Sequence, residues 1–136
     1  MARRAGAWLA VDNCFATPVL QRPLALGADL VIHSGTKFLD GQGRVMAGVL
    51  CGRGELIGQI QPVACAAGMT LSPFNAWVVH KGLEILALRV RAQSEAALQL
   101  ARWLESQPAV ERVYYLGLSS HPQYALAMQQ QGGLGD

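Results

Sequence analysis

A short apolar run that ends in a hydroxyl-rich turn and a lysine constrains this chain more than any other feature. Residues 30–33 read L-V-I-H, and Ser34, Gly35, Thr36 and Lys37 follow them. An apolar run of this length, bounded by a glycine turn, predicts a buried strand. Short hydroxyl side chains suit a phosphate, and a glycine lets a ligand approach the backbone closely. A lysine at such a strand end lies where α/β sheets bind their ligands, and its amine can form a Schiff base.

A second polar strand end, upstream of the first, strengthens this interpretation. The lysine of an isolated S-G-T-K sequence is ordinarily an exposed loop residue. Here, however, residues 8–11 predict another strand, and it ends at Asp12 within the stretch V-D-N-C-F-A-T-P. A carboxylate at the end of an apolar strand is costly without a partner, although it can also serve as a cap or turn residue. We therefore predict one cleft that Asp12, Ser34, Thr36 and Lys37 share.

Residues 11–48 together resemble the cofactor segment of the Cys/Met-metabolism family of pyridoxal-phosphate enzymes. The matching pieces are V-D-N-C-F-A-T-P, Q-R-P-L-A-L-G-A-D and H-S-G-T-K-F-L-D-G-Q-G-R, and the similarity continues through L-S-P-F-N-A-W and S-S-H-P-Q-Y. The third piece is most similar to the O-succinylhomoserine sulfhydrylase subgroup. In the lyases of the family this loop usually carries a histidine and an acidic residue, where this chain has Gln42 and Arg44.

The resemblance implies pyridoxal 5'-phosphate as the cofactor and a role for each polar residue of the two motifs. Lys37 would form the Schiff base and then act as a base. Asp12 would keep the pyridine nitrogen of the cofactor protonated, which makes the ring an electron sink. Ser34 and Thr36 would bind the phosphate, although capping of the strand end is the alternative for both. Cys14 stands where the family mostly has threonine, and because a thiol is a weaker donor we expect a small buried side chain there.

The remaining polar residues predict no metal site. We expect His33 to pack beneath the lysine. Arg44 either approaches an acidic substrate or lies on the surface of its loop. His80 and His121 have no neighbouring pattern of metal ligands, and the 3 cysteines fit neither a disulfide framework nor a zinc motif. Free thiols indicate a reducing compartment, and we expect the cytoplasm.

The expected fold is α/β. By resemblance it is part of the large cofactor domain of a fold-type I pyridoxal-phosphate-dependent transferase, together with the start of the C-terminal domain. We assign residues 1–72 to the cofactor domain, 73–107 to a long bridging helix and 108–136 to the start of the C-terminal domain. Family members have long segments before and after this region, so we expect an interior portion of a longer enzyme. Residues 132–136 resemble the entry into a strand of the C-terminal domain.

Periodicity and turn residues predict the individual elements. Ser72 followed by Pro73 predicts a helix start. The helix after it is expected to be continuous for about 32 residues, with a kink near Gly82 or within 89–92. Pro62 is expected to bend or restart the preceding helix. Strands are predicted at 8–12, 30–33, 45–51 and 110–115, and helices at 1–6 (a last turn), 21–27, 55–67 and 121–131, the last capped by Ser120.

Composition excludes several classes of protein. Hydrophobic residues make up 51% and charged residues 15%, which indicates a folded chain. The net charge of +2 is scattered without a basic stripe, so no nucleic-acid partner is expected. No apolar run reaches transmembrane length, so no membrane is expected either. The low charge hints at burial against other protein, and the resemblance implies a homotetramer.

The function that the resemblance implies is γ-replacement on an activated homoserine. Sulfide would replace succinate (or acetate) and give homocysteine, so the partners are an amino-acid substrate and sulfide. Cystathionine γ-synthase or γ-lyase activity is the alternative within the family. The alternative from another class is a catalytically incompetent fragment that keeps the fold or serves assembly.

Overall fold

A computed structural model describes residues 2–131, so the expectation for 132–136 lies outside the described residues. The strands are β1 (Ala10–Asp12), β2 (Leu30–Ser34) and β3 (Gly48–Gly52). The helices are α1 (Thr17–Leu20), α2 (Gly54–Ala66), α3 (Pro73–Leu83), α4 (Leu86–Glu105) and α5 (Tyr124–Gln130). A short 3-10 helix spans Ala2–Ala5, and a wide helical turn spans Gly35–Leu39.

The three strands form one sheet in the order β1-β2-β3. β1 runs parallel to β2, and Asp12 lies opposite Ile32. β3 runs antiparallel to β2, and Ser34 lies opposite Gly48. The predicted strands at 8–12, 30–33 and 45–51 are thereby confirmed, with shifted boundaries. β2 is the central strand, so the residues that follow it leave the sheet between β1 and β3.

The core joins the turn after β2 to the two long helices. Leu39 from the turn, Val79 from α3, and Leu86 and Val90 from α4 form a buried cluster. Partly buried apolar side chains surround it: Val19, Leu20, Phe38, Val45, Ala47 and Val49. Burying an aliphatic side chain contributes roughly 1.5–3 kcal/mol, so this cluster holds the turn firmly against α3 and α4.

The single long helix of the prediction is wrong, because α3 ends at Leu83 and α4 begins at Leu86. The predicted start is confirmed, since the Asn75 N–H donates to Ser72 Oγ at 3.2 Å. The kink expected near Gly82 is confirmed as the place of this break. Helical periodicity continues across the break because both helices pack on the same core cluster. None of the described helices is long and apolar enough to cross a membrane.

Several other predictions differ from the structure. Residues 21–27 form a series of bonded turns instead of a helix, and the turns close with the Ala28 N–H donating to Pro23 O at 2.9 Å. Residues 110–115 form no strand, because no neighbouring strand among residues 2–131 bonds to them. Ser120 does not cap α5, since its hydroxyl donates to Glu105. Helix α2 runs through Pro62 without a restart, and the four-residue α1 was not predicted.

Candidate functional site

The carboxyl ends of β1 and β2 lie at the same edge of the sheet. Asp12 is the last residue of β1, and β2 ends at Ser34, two residues beyond the partner of Asp12. The Asn13 N–H donates to Ile32 O at 2.9 Å and extends the parallel pairing by one residue. We call residues 34–44 the lysine loop. The topology therefore places Asp12 beside the start of this loop, at the edge where α/β sheets bind their ligands.

Asp12 is exposed, and its carboxylate accepts a hydrogen bond from Cys14. The Cys14 N–H donates to Asp12 Oδ1 at 2.9 Å. Hydrogen bonds from the thiol and the backbone N–H of Cys14 lower the pKa of Asp12, and the positive charge of Lys37 adds to this effect. The carboxylate is therefore ionised at neutral pH and can stabilise a cation beside it.

Lys37 is exposed on the wide turn and faces an aromatic ring. Its backbone, at φ −86° and ψ −119°, leaves the helical conformation of the residues around it. Lys37 Nζ lies 4.4 Å from the centroid of the Phe15 ring. Phe15 in turn makes an edge-on contact with Phe38 at 6.3 Å between centroids. These side chains border a cleft of about 320 Å³ that Thr36, Gly41, Gly43 and Gln93 also line. Asp12 and Ser34, which the sequence predicted to share one cleft with Thr36 and Lys37, do not line it.

Ser34 and Thr36 both have partners within the protein. The Ser34 N–H donates to Cys14 Sγ at 2.8 Å. Thr36 Oγ1 accepts the Ala47 N–H at 3.0 Å and donates to Ala47 O at 3.4 Å. The capping interpretation thus describes Thr36 as it stands in this structure. A hydroxyl carries two acceptor sites and one rotatable proton, so a phosphate contact remains compatible with capping and stays a prediction for both residues.

Gly35 is required by packing against the segment before β3. Its N–H donates to Ala47 O at 2.7 Å. A Cβ at Gly35 would lie 2.6 Å from the Ala47 Cβ, which is too close for any side chain. Ala47 therefore requires a glycine at position 35, and the approach of a ligand to the Gly35 backbone stays a prediction.

His33 is buried at the end of β2, as expected. Its side chain is 7% exposed, and Nδ1 has no hydrogen-bond partner among the described residues. Burial lowers the pKa of His33 because it penalises the charged imidazolium, although the Asn13 backbone and the Asp12 charge act in the opposite direction. His33 is therefore a neutral, buried ring at the end of β2.

Arg44 is paired with Asp40 within the lysine loop. Its N–H donates to Asp40 Oδ2 at 2.7 Å and its Nε to Oδ1 at 2.8 Å. The same guanidinium donates to Val78 O of α3 at 3.4 Å. Burial alone would raise the pKa of Asp40, but the hydrogen bonds and charge of Arg44 outweigh it and hold that pKa below its usual value. Of the two alternatives for Arg44, the structure favours a loop-stabilising residue over a substrate-binding one.

Asn13 and Thr17 support the site and were missed as individual residues. Asn13 Nδ2 donates to Thr17 O at 3.0 Å and to Gln21 O at 2.9 Å. Thr17 is fully buried at φ 59°, which is uncommon for a β-branched residue. These bonds fix the turn after β1 and so the direction of Asp12. An asparagine directly after a strand-end aspartate was the available sequence signal.

The donor set fits pyridoxal phosphate. An ionised carboxylate, a primary amine and two strand-end hydroxyl side chains lie along one edge of the sheet, on Asp12, Lys37, Ser34 and Thr36. These groups match the ring nitrogen, the aldehyde and the phosphate of that cofactor. Among residues 2–131, no three His, Cys, Asp or Glu side chains come together as a metal site would require.

Comparison with known proteins places the chain in a group of similar sequences. The chain is 61% identical over 135 residues to an O-succinylhomoserine sulfhydrylase of Pseudomonas aeruginosa, which covers 99% of this chain and 34% of that protein. It is 48% identical over 136 residues to an O-succinylhomoserine sulfhydrylase of Mycobacterium tuberculosis, with the same shares of 99% and 34%. The chain thus spans about a third of the length of these curated relatives.

Solved structures of related enzymes have the same fold. A cystathionine gamma synthase of Xanthomonas oryzae superposes with a TM-score of 0.94 at 43% identity, over 98% of this chain and 35% of that one. A cystathionine gamma lyase of Micromonospora echinospora superposes with a TM-score of 0.94 at 39% identity, over 98% and 36%. These likenesses agree with the predicted α/β fold of type I. A family model described as Cys/Met metabolism PLP-dependent enzyme matches residues 1–136. The chain therefore belongs to the Cys/Met-metabolism family of pyridoxal-phosphate-dependent enzymes.

Proposed function

We propose that the complete protein catalyses γ-replacement, in which O-succinylhomoserine and hydrogen sulfide give homocysteine and succinate. The observation that carries this proposal is the sheet edge that Asp12 shares with the end of β2. At this edge the positive charge of Lys37 contributes to lowering the pKa of Asp12. Identity of 61% to the sulfhydrylase of P. aeruginosa supports the choice of substrate. The cofactor, when bound, supplies the electron sink that lets protons leave the carbon chain of the substrate.

Each site residue has a defined task in this proposal. Lys37 would hold the cofactor through its amine, and it would carry protons between Cα and the neighbouring carbons of the substrate as a general base and acid. Asp12 stays ionised and stabilises the protonated ring nitrogen. Ser34 and Thr36 orient the phosphate through their hydroxyl groups. Phe15 lies against the amine of Lys37 and limits its movement.

The organisation of the complete protein is part of the proposal. Residues 1–72 form part of the cofactor domain, 73–107 bridge to the C-terminal domain with the break at residues 84–85, and 108–136 begin that domain. The family resemblance supports a homotetramer in the cytoplasm. The alternative function is cystathionine γ-synthase or γ-lyase, because a chloroplastic cystathionine gamma-synthase of Arabidopsis thaliana is 42% identical over 135 residues.

Steady-state kinetics on the complete protein test the function. We expect kcat/KM with O-succinylhomoserine and sulfide to exceed kcat/KM for cystathionine formation from cysteine and for cystathionine cleavage. The variant Lys37→Ala should lose turnover in all three assays, and Lys81→Ala should keep it. A higher kcat/KM for cystathionine formation or cleavage would replace the sulfhydrylase assignment with a synthase or a lyase.

A further inference from the structure

One arginine of α4 reaches back to the main chain behind the catalytic lysine. Arg89 Nη1 donates to Phe38 O at 3.0 Å. Arg89 Nη2 donates to Gly82 O at 2.9 Å and to Leu39 O at 3.4 Å. Carbonyls at the end of a helix have no partner within that helix, and they carry the negative end of its dipole. A single guanidinium thus satisfies the wide turn of Lys37 and the end of α3 together.

Two glycines leave the space that this contact needs. A Cβ at Gly82 would lie 2.4 Å from Leu39 O and 2.7 Å from Asp40 O, so only glycine lets α3 touch the lysine loop. A Cβ at Gly41 would lie 2.0 Å from Arg89 Nη1, and Gly41 has a φ of +76°. Residues from two parts of the chain, the lysine loop and α3, therefore fit one guanidinium. Lysine could not replace it, since its ammonium lacks the planar fork of donors.

The contact acts on the side of the loop that carries Lys37. Phe38 directly follows Lys37 in the chain, and the Lys37 backbone departs from helical geometry at ψ −119°. A residue in such a conformation keeps its direction only when its neighbours are fixed. The buried Leu39 and the Asp40–Arg44 pair fix the loop further along. Arg89 fixes the Phe38 and Leu39 carbonyls, which lie between Lys37 and Asp40 in the chain.

We propose that Arg89 is a positioning residue for Lys37, which it keeps aimed at the cleft by bonding the lysine loop to the break between α3 and α4. The proposal rests on the role of Lys37 proposed above. Arg89 does not line the cleft beside Lys37, so it would act through the loop. Arg89 also couples the α3–α4 break to the position of Lys37. Because the same guanidinium bonds to Gly82 O and to the Phe38 and Leu39 carbonyls, a shift of Gly82 would move those carbonyls as well.

Amide hydrogen exchange on the cofactor-free complete protein tests the contact directly. The reporters are the Asp40 N–H, bonded to Gly35 O at 3.0 Å, and the Gly41 N–H, bonded to Lys37 O at 2.8 Å. In Arg89→Lys we expect both to exchange at least about tenfold faster, since a charge-assisted hydrogen bond is lost. The Asn13 amide on the other side of the site should be unchanged. Arg91→Lys, an exposed position on the same helix, is the matched control.

Reductive trapping of pyridoxal phosphate tests the consequence for the amine. The sequence contains two lysines, Lys37 and the exposed Lys81, so peptide mapping after borohydride treatment gives an internal ratio. We expect Arg89→Lys to slow trapping at Lys37 by about tenfold, in step with the loss of one such hydrogen bond, and to leave Lys81 unchanged. In turnover, kcat should fall while KM for the amino acid stays constant.

The outcomes separate positioning from a general effect on folding. If Arg89→Lys does not fold, Arg89→Ala with added guanidinium ion replaces it, and restored protection at Asp40 and Gly41 supports the proposal. Wild-type exchange at both amides, or equally faster exchange at Asn13, overturns it. Faster exchange combined with wild-type trapping at Lys37 overturns it as well. The exchange result does not depend on turnover, so an absence of sulfhydrylase activity in the wild type would count against the proposed function alone.

Discussion

Cys14 connects the two polar strand ends of the site. Its backbone N–H holds the Asp12 carboxylate, and its sulfur accepts the Ser34 N–H. The side chain is 8% exposed, and burial raises the pKa of the thiol, so it stays protonated at neutral pH. Where the family mostly has threonine, this chain thus uses a sulfur as an acceptor from β2. The expectation of a small buried side chain is confirmed, and its role between Asp12 and Ser34 adds to it.

His33 should make stability depend on pH. Burial holds its folded-state pKa below the usual 6.5. Below that pH the unfolded chain binds a proton that the folded chain resists, so the free energy of unfolding falls as pH falls through about 6.5. The free energy of unfolding changes by at most about 1.4 kcal/mol per pH unit, and this dependence on pH ends once pH drops below the folded-state pKa.

The variant His33→Phe tests this dependence with a ring that does not titrate. Urea unfolding of the wild type and the variant should be compared between about pH 5 and pH 7.5, which spans the unfolded-state pKa. We expect the difference in unfolding free energy to shift in favour of the variant as pH falls. His80→Phe, at an exposed position, is the matched control. A constant difference for His33→Phe would mean that His33 gains its proton equally in both states.

At the scale of the elements, the close contact between α3 and the lysine loop predicts an unusual response to alanine. Glycine to alanine inside a helix ordinarily stabilises by roughly 0.5–1 kcal/mol. At Gly82 the added methyl group would meet two backbone oxygens, of Leu39 and Asp40, which cannot rotate away. Overpacking of this kind costs typically about 1–3 kcal/mol, so Gly82→Ala should destabilise the protein.

Gly58 in α2 provides the matched control, because nothing lies within 4 Å of a Cβ built there. Chemical denaturation should show Gly58→Ala to be more stable than the wild type and Gly82→Ala to be less stable. The same Gly82 variant should also weaken protection of the Asp40 amide. A Gly82→Ala protein at least as stable as the wild type would show that α3 can move away from the loop at little cost.

The elements differ in how far local sequence determines them. Apolar runs with glycine or proline at their ends predicted the three strands and the start of α3 correctly, because those signals are local. The α3–α4 break depends on Gly82 touching a loop about 40 residues earlier in the chain, which no periodicity encodes. Residues 110–115 have the composition of a strand, but a strand also needs a neighbour to bond with.

The same distinction applies to the site. That Asp12 and Lys37 share an edge follows from two parallel strands, and the motifs on them were visible in the sequence. Phe15 beneath the amine and Arg89 behind the loop depend on side-chain directions and on contacts across about 50 residues. Those features depend on the three-dimensional structure. Arg44 shows the reverse case, because its pairing with Asp40 within the loop favours a structural role over substrate binding.

At the scale of the whole molecule, the chain exposes more surface than its mass predicts. Its accessible area is 9355 Å². A compact monomer of 14.5 kDa exposes about 6,900 Å² by the usual scaling of surface with mass. Large apolar side chains contribute to the excess, among them Trp77 at 56%, Trp103 at 58% and Leu88 at 71% exposed. Exposed apolar side chains of this size and number lead us to expect that other protein covers part of this surface.

We therefore expect the 136-residue chain, expressed alone, to associate with itself and to lack useful γ-replacement activity. The chain spans 34% of the sulfhydrylase of P. aeruginosa, so most of that relative has no counterpart in it. Lost positioning of substrate and cofactor can raise a barrier by about 7–11 kcal/mol in favourable cases.

Light scattering after size exclusion should show species larger than 14.5 kDa, and the double variant Trp77→Gln/Trp103→Gln should shift them towards the monomer. Absorbance with added pyridoxal phosphate and a homocysteine assay complete the test. A stable monomer that turns over O-succinylhomoserine at a rate near that of an intact relative would show that these 136 residues suffice for catalysis.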